Sequence, residues 1–193
     1  KDVTINGNNH VIDGDGWARI FNIDGHKVVL NNITFINGYT PDNGGAIQTS
    51  SQTSLSIDSC RFENNSAKNG GAIYLKSYNP INIESSIFKN NTASEKGGAI
   101  HYRGYYESKI FSNITGTFTN NRASDGGAIY LIDVNRYHIK GNFTKNSAGN
   151  TGGAVCAAAA LALPILSMDG VFDSNAAAFG GAVYAFNPSG NFT

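Results

Sequence analysis

The chain has 193 residues, with 14 Lys and Arg against 14 Asp and Glu, so its formal net charge is zero. That balance offers no electrostatic footprint for nucleic acid or an anionic membrane surface, and a 40% hydrophobic fraction is too high for a disordered chain. With 23 Gly and 25 Asn but only 15% charged residues, the composition also argues against a helical protein.

Residues 1–34 carry short, irregular strand and turn signals. Val3-Thr4-Ile5-Asn6-Gly7, Val11-Ile12-Asp13-Gly14 and Phe21-Asn22-Ile23-Asp24-Gly25 each end an apolar run in Asn-Gly or Asp-Gly. They predict one or two coils less regular than those that follow, with Trp17 packing at this end. The chain opens at Lys1 with neither an initiator Met nor a signal peptide, and so reads as a piece of a longer protein.

From Phe35 the sequence repeats. Gly-Gly-Ala-Ile/Val begins at Gly44, Gly70, Gly97, Gly126, Gly152 and Gly180, at intervals of 26 to 29 residues. Eight or nine residues before each stands a Phe: Phe35, Phe62, Phe88, Phe118, Phe143 and Phe172. Three residues after the last five come Asn65, Asn91, Asn121, Asn146 and Asn175, and two later Ala67, Ala93, Ala123, Ala148 and Ala177. The first copy departs, with Gly38 and Thr40 in those places. Gly-Gly excludes a helical repeat, and the flanks alternate β-branched and aromatic residues with period two, in, out, in, as in Ile73-Tyr74-Leu75, Ile100-His101-Tyr102 and Ile129-Tyr130-Leu131. A further short strand precedes each Phe, linked to it either as I-x-x-x-x-F (Ile57 to Phe62, Ile83 to Phe88) or in a shorter form containing Gly (Ile114 to Phe118, Ile139 to Phe143).

Three short strands per unit, joined by turns, make one coil of a parallel β-helix, and crossover chirality makes it right-handed. The expectation is a single all-β solenoid over 1–193 of about seven to eight coils: irregular coils over 1–34, six repeats over 35–186, and the start of a further coil over 187–193, where Gly190-Asn191-Phe192-Thr193 reproduces Gly141-Asn142-Phe143-Thr144. Stacked Phe and Ile/Val fill the bore, stacked Asn adopt left-handed turns and form amide ladders, and the Gly pair serves unusual φ or close backbone approach.

At F-x-x-N and G-G-A-[IV] the sequence resembles the chlamydial polymorphic outer membrane protein repeat. Its Asn-rich phrases, such as Phe62-Glu63-Asn64-Asn65-Ser66-Ala67, also look like adhesin-like proteins of methanogenic archaea. The resemblance covers residues 30–185. It implies a non-enzymatic surface protein acting in attachment to host cells, other microbes, matrix or glycans, with a parent chain anchored in a membrane or wall. It brings no catalytic residue and no cofactor.

β-Helices also carry polysaccharide lyases and hydrolases, whose chemistry needs outward carboxylates on neighbouring coils. Asp58 and Glu84 share one outward column, which makes them the candidate pair for that rival reading. The column after the tetrad, Gln48, Tyr74, His101, Tyr130, Cys156 and Tyr184, is expected to face outward as a ladder able to stack sugar rings. The longest coil adds His101-Tyr102-Arg103-Gly104-Tyr105-Tyr106 as a protruding loop of the kind that suits recognition. The candidate ligand contacts are therefore Tyr74, His101, Tyr102, Arg103, Tyr105, Tyr106 and Tyr130. Cys60 faces the bore and Cys156 faces outward some four coils away, too far for a disulfide. The four His share no ligand spacing, so no metal site is expected. The apolar run Ala157 to Leu166, about half of what a membrane-spanning helix needs, reads as a loop folded onto its own coil.

Overall fold

A computed structural model describes residues 1–105, 111–133, 136–158 and 165–186. Among these there is no helix, every strand pairing is parallel, and the chain winds as a β-solenoid of about six turns with three sheets. The first sheet stacks Val3–Asp13, Lys27–Ile36, Ser54–Asp58 with Arg61–Glu63, Ile81–Lys89, Phe111–Thr119, Arg136–Thr144 and Ile165–Asp173. The second holds Ser66–Asn69, Thr92–Lys96, Arg122–Asp125 and Ser147–Thr151. The third holds Phe21–Ile23, Ile47–Thr49, Ile73–Lys76, Ile100–Arg103, Ile129–Ile132, Val155–Ala158 and Val183–Phe186. Two sheets thus reach seven strand levels; the eighth, expected to begin at 187–193, falls outside the described residues.

The bore is filled as the repeat predicts. Phe35, Phe62, Phe88, Phe118, Phe143 and Phe172 stack with ring centroids 4.7–4.9 Å apart and planes within 11° of parallel. That interval is the spacing of the strands carrying them, so each ring lies flat on the next without tilting. Phe21 closes the column at one end, edge-on to Phe35 at 5.5 Å.

Two neighbouring residues divide the work that the sequence gives to one Asn. The residue two after each Phe takes the left-handed conformation, with φ between 53° and 57° at Asn37, Asn64, Asn90, Asn120, Lys145 and Ser174. The Asn one place later is buried and forms the ladder. Asn121, for example, accepts the Asn91 backbone N–H and side-chain amide on Oδ1 (both 3.0 Å), and donates from Nδ2 to the Phe88 carbonyl (3.0 Å) and to Asn146 Oδ1 (2.9 Å). Every polar atom of a buried amide is used, which makes its burial affordable. In the first copy Gly38 needs only its backbone N–H, donated to Asn65 Oδ1 at 2.8 Å.

The two forms of the link before Phe are one strand with and without a bulge. In the longer form the extra residue is turned to positive φ, at Asn32, Ser59 and Ser85. Between Ile83↔Ile114 and Ser86↔Gly116 the register shifts by that residue, and from there on the strands run unbulged. Gly116, Gly141 and Gly170 stack in the shorter form because a Cβ there would strike the carbonyl of the coil below.

Two expectations are corrected. Trp17 is 85% exposed, on a turn closed by its own N–H to the Gly14 carbonyl, and packs against no core. His101, Tyr102 and Arg103 are not part of a loop, because Ile100–Arg103 is a third-sheet strand. Tyr102 falls on the inward phase, as the alternation predicts and against its place among the candidate ligand contacts; it faces the bore, with its hydroxyl 2.9 Å from Ser112 Oγ, and belongs to the core. Tyr106, and most of the Ala157–Leu166 segment, lie outside the described residues.

Candidate functional site

The site grows out of the Gly-Gly corner. The first Gly of each pair has φ between 60° and 68°, and a Cβ on it would collide with the carbonyl three residues on, so the chain reverses sharply as it leaves the second sheet. That reversal sets the residue before the pair (Asn43, Asn69, Lys96, Asp125, Thr151) against the outer side of the third sheet. These corner residues stack coil on coil, as do Tyr74, His101, Tyr130, Cys156 and Tyr184 opposite them. Contacts cross between the two columns: Lys96 Nζ lies 4.9 Å from the Tyr130 ring centroid, and Thr151 Oγ1 lies 3.3 Å from Cys156 Sγ.

The column predicted to face outward does lie outside the bore, but it lines the wall of a groove. His101, Tyr130 and Cys156 are buried there, while Tyr74 and Tyr184 are half-buried. The groove holds a concavity of about 290 Å³ around Asn69, Tyr74, Lys96, His101, Arg103 and Tyr130, and a second of about 190 Å³ from Asp125 and Tyr130 to Phe186. The larger approaches the size of a small-ligand pocket, roughly 300 Å³ upward.

His101 is the focus of the groove. Its ring sits between those of Tyr74 and Tyr130, at centroid separations of 4.9 and 5.1 Å and tilts of 60°. It is 7% exposed, and neither ring nitrogen has a hydrogen-bond partner among the described residues; Asn69 Oδ1 is in the same position. Burial, with the positive charges of Lys96 and Arg103 added, pushes its pKa down to about 3, so the ring is neutral at physiological pH. A neutral imidazole offers one N–H donor and one acceptor, both unused here. Burial likewise pushes the Tyr130 hydroxyl up to about 12 and raises the Cys156 thiol, so neither ionises readily.

The remaining predicted site residues fall at the edges of this groove or away from it. Arg103 is exposed on the same strand face as His101, and Tyr105 stacks on Tyr78 at 3.5 Å. Asp58 and Glu84 are in register on the outside of the first sheet, where Ser59 Oγ donates to Asp58 and Asn82 Nδ2 donates to Glu84. Cys60 is buried at the bore, three levels from Cys156, and both thiols are free. No group of three His, Cys, Asp or Glu side chains that could hold a metal occurs among the described residues. Sequence reasoning missed Asn69 and Lys96, although the column immediately before each Gly-Gly was there to be read.

The architecture is that of a parallel β-solenoid repeat protein with three strands per coil. Residues 59–76, 85–103 and 115–131 match the Chlamydia polymorphic membrane protein repeat, each stretch running from just before a Phe through its tetrad into the third sheet. The repeats are thus of the polymorphic outer membrane protein type, which points to the outer membrane or cell surface as the place of action and to a surface, adhesin-like protein. No curated protein and no solved structure matches the chain. No helix among the described residues is long and apolar enough to cross a membrane.

Proposed function

We propose that this chain is a non-catalytic adhesive segment of a surface protein, attaching to cells, matrix or glycans through the groove beside the third sheet. Tyr74, His101, Arg103 and Tyr130 make the contacts, with Tyr105 at the rim. The observation that carries this reading is His101, buried between two tyrosine rings with both nitrogens unpartnered. An unmet buried donor or acceptor costs about 1–3 kcal/mol, and a ligand that satisfies both recovers that cost. A solenoid wall serving only as scaffold has no use for such a residue, whereas the Phe and Asn columns leave nothing unmet.

Fluorescently labelled chain incubated with epithelial cells and with immobilised matrix should bind saturably to at least one surface, and Arg103→Ala with Tyr105→Ala should abolish most of that binding without altering the melting temperature. Absence of saturable binding to every surface tested, or release of reducing ends from an acidic polysaccharide that is lost on Asp58→Ala, would overturn the proposal in favour of a lyase or hydrolase acting across Asp58 and Glu84.

A further inference from the structure

We propose that the groove around His101 takes a carboxylate-bearing saccharide, its sugar ring against Tyr74 and Tyr130 and its carboxylate held by Arg103 and Lys96. The inference rests on the adhesive reading above and names the class of ligand.

Charge favours an anionic ligand. Lys96 enters the larger concavity from the corner wall and Arg103 from the third-sheet wall, and Lys76 is Arg103's in-register neighbour one coil away. The one carboxylate at this concavity, Glu95, has a cation of its own, Lys68 Nζ at 3.4 Å. At this concavity Lys96 and Arg103 therefore outnumber the carboxylates, while Asp125, in register with Lys96 one coil away, belongs to the second concavity, on the far side of Tyr130. Lys96 and Arg103 line the same concavity as His101, and both charges add to burial in depressing its basicity. An Arg guanidinium can grip a carboxylate with two parallel hydrogen bonds, and a neighbouring ammonium adds a point charge.

The polar groups left unmet favour a hydroxyl-rich ligand. His101 presents one donor and one acceptor, and Asn69 Oδ1 a further acceptor. A ligand matching them must both donate and accept at closely spaced positions, as vicinal sugar hydroxyls do. The tyrosine and histidine rings on successive coils, 4.9 and 5.1 Å apart, offer a strip long enough for two linked rings.

The backbone disfavours a peptide. A peptide ligand would add as a strand or use free main-chain groups. At this corner those groups are taken: the Ala72 and Ile73 N–H groups donate to the Ala99 carbonyl, and those of Ala99 and Ile100 to the Ala128 carbonyl. Recognition must come from side chains, which suits a saccharide. The site is also confined along the axis. One coil beyond Arg103 the same outer row turns apolar, through Ile132, Ala158 and Phe186, so the acid-binding stretch covers the levels of Tyr74 to Tyr130.

Calorimetric titration of the 193-residue chain with a hyaluronan tetrasaccharide and with sialyllactose tests this, each beside its carboxyl-reduced form. Binding of at least one acidic probe is expected, about tenfold weaker once its carboxylate is reduced to the alcohol. Arg103→Ala should give a similar loss for the acidic probe and none for the reduced one, and Arg103→Lys should fall between. The preferred probe tells a uronate from a sialate. Equal binding of acidic and reduced forms, failure of all probes, or indifference to Arg103→Ala overturns the inference. Cell attachment that survives enzymatic removal of acidic glycans, yet is lost on Arg103→Ala, also overturns it and leaves the adhesive reading standing. Loss of attachment on the same treatment supports both.

Discussion

Two columns of side chains, one all aromatic and one partly so, run along this solenoid, and they obey opposite rules. The inner one repeats a single residue, Phe, with rings parallel to within 11° and no polar atom to satisfy. The outer one changes at every level, from Gln48 through Tyr74, His101, Tyr130 and Cys156 to Tyr184, with rings tilted by 60° where His101 meets its neighbours. Identity from coil to coil is what stacking requires, because each ring must match the one below. Variation at an equally fixed position shows that stacking does not decide what stands there. The inner column reports the scaffold, and the outer one is where a ligand can select.

Breaking the inner column should have the largest effect. Phe118→Ala removes a fully buried ring from the middle of the stack and should cost about 3–5 kcal/mol, read as a lowered urea midpoint, while the groove side chains stay as they are. The Asn ladder comes next. Asn121→Ala strips the acceptor from the buried Asn91 backbone N–H and amide and the donor from the Phe88 carbonyl. At about 1–3 kcal/mol for an orphaned buried group, the loss should total about 2–4 kcal/mol. Asn121→Asp should not restore it, since a carboxylate cannot donate to Asn146 Oδ1. A loss below about 1 kcal/mol in either variant would mean that the columns are not what holds the coils together.

The inner column was legible in the sequence because burial and period agree: a Phe every coil, always at the same distance from Asn and from Gly-Gly, admits one placement. The bulge was legible too, as the extra residue between Ile83 and Phe88 compared with Ile114 and Phe118. The groove was only half legible. Period two correctly puts His101 outside the bore, but outside does not mean exposed where a positive-φ glycine folds the preceding strand end back over the sheet. That reversal depends on the backbone at Gly97, and it brings Lys96, a residue with no pattern of its own, onto Tyr130. Tyr102 drew two readings from the sequence, inward by the alternation and outward as part of the loop, and only the first holds. The sequence around Gly104 looks like a loop, yet the alternation Ile100-His101-Tyr102-Arg103 holds, and Ser112 supplies the partner that a buried phenol needs.

His101 makes the contrast sensitive to pH. Its folded pKa of about 3 lies below the unfolded value of about 6.5. The unfolded chain therefore binds a proton that the folded chain refuses, and stability is complete above about pH 6.5 and falls as pH drops toward 3. The slope reaches up to about 1.4 kcal/mol per pH unit within that window. Urea midpoints measured at pH 7, 6, 5 and 4 in the wild type and in His101→Phe isolate this term, because only the wild type carries it. Equal slopes would show that His101 is protonated at no cost, and hence is not the buried, unpartnered group described here.

The same variant sharpens the comparison most finely, through an effect of the opposite sign. His101→Phe makes one level of the outer column resemble the inner one: the ring remains between Tyr74 and Tyr130, and two unmet nitrogens are gone. Since an unsatisfied buried polar group is a net cost, the variant should be more stable than the wild type by about 1 kcal/mol at pH 7. Attachment to cells or matrix should fall at the same time. Stability gained together with binding lost is what a residue kept for a ligand produces. Stability lost would instead mean that the imidazole is needed by the fold, and would move His101 from the outer rule to the inner one.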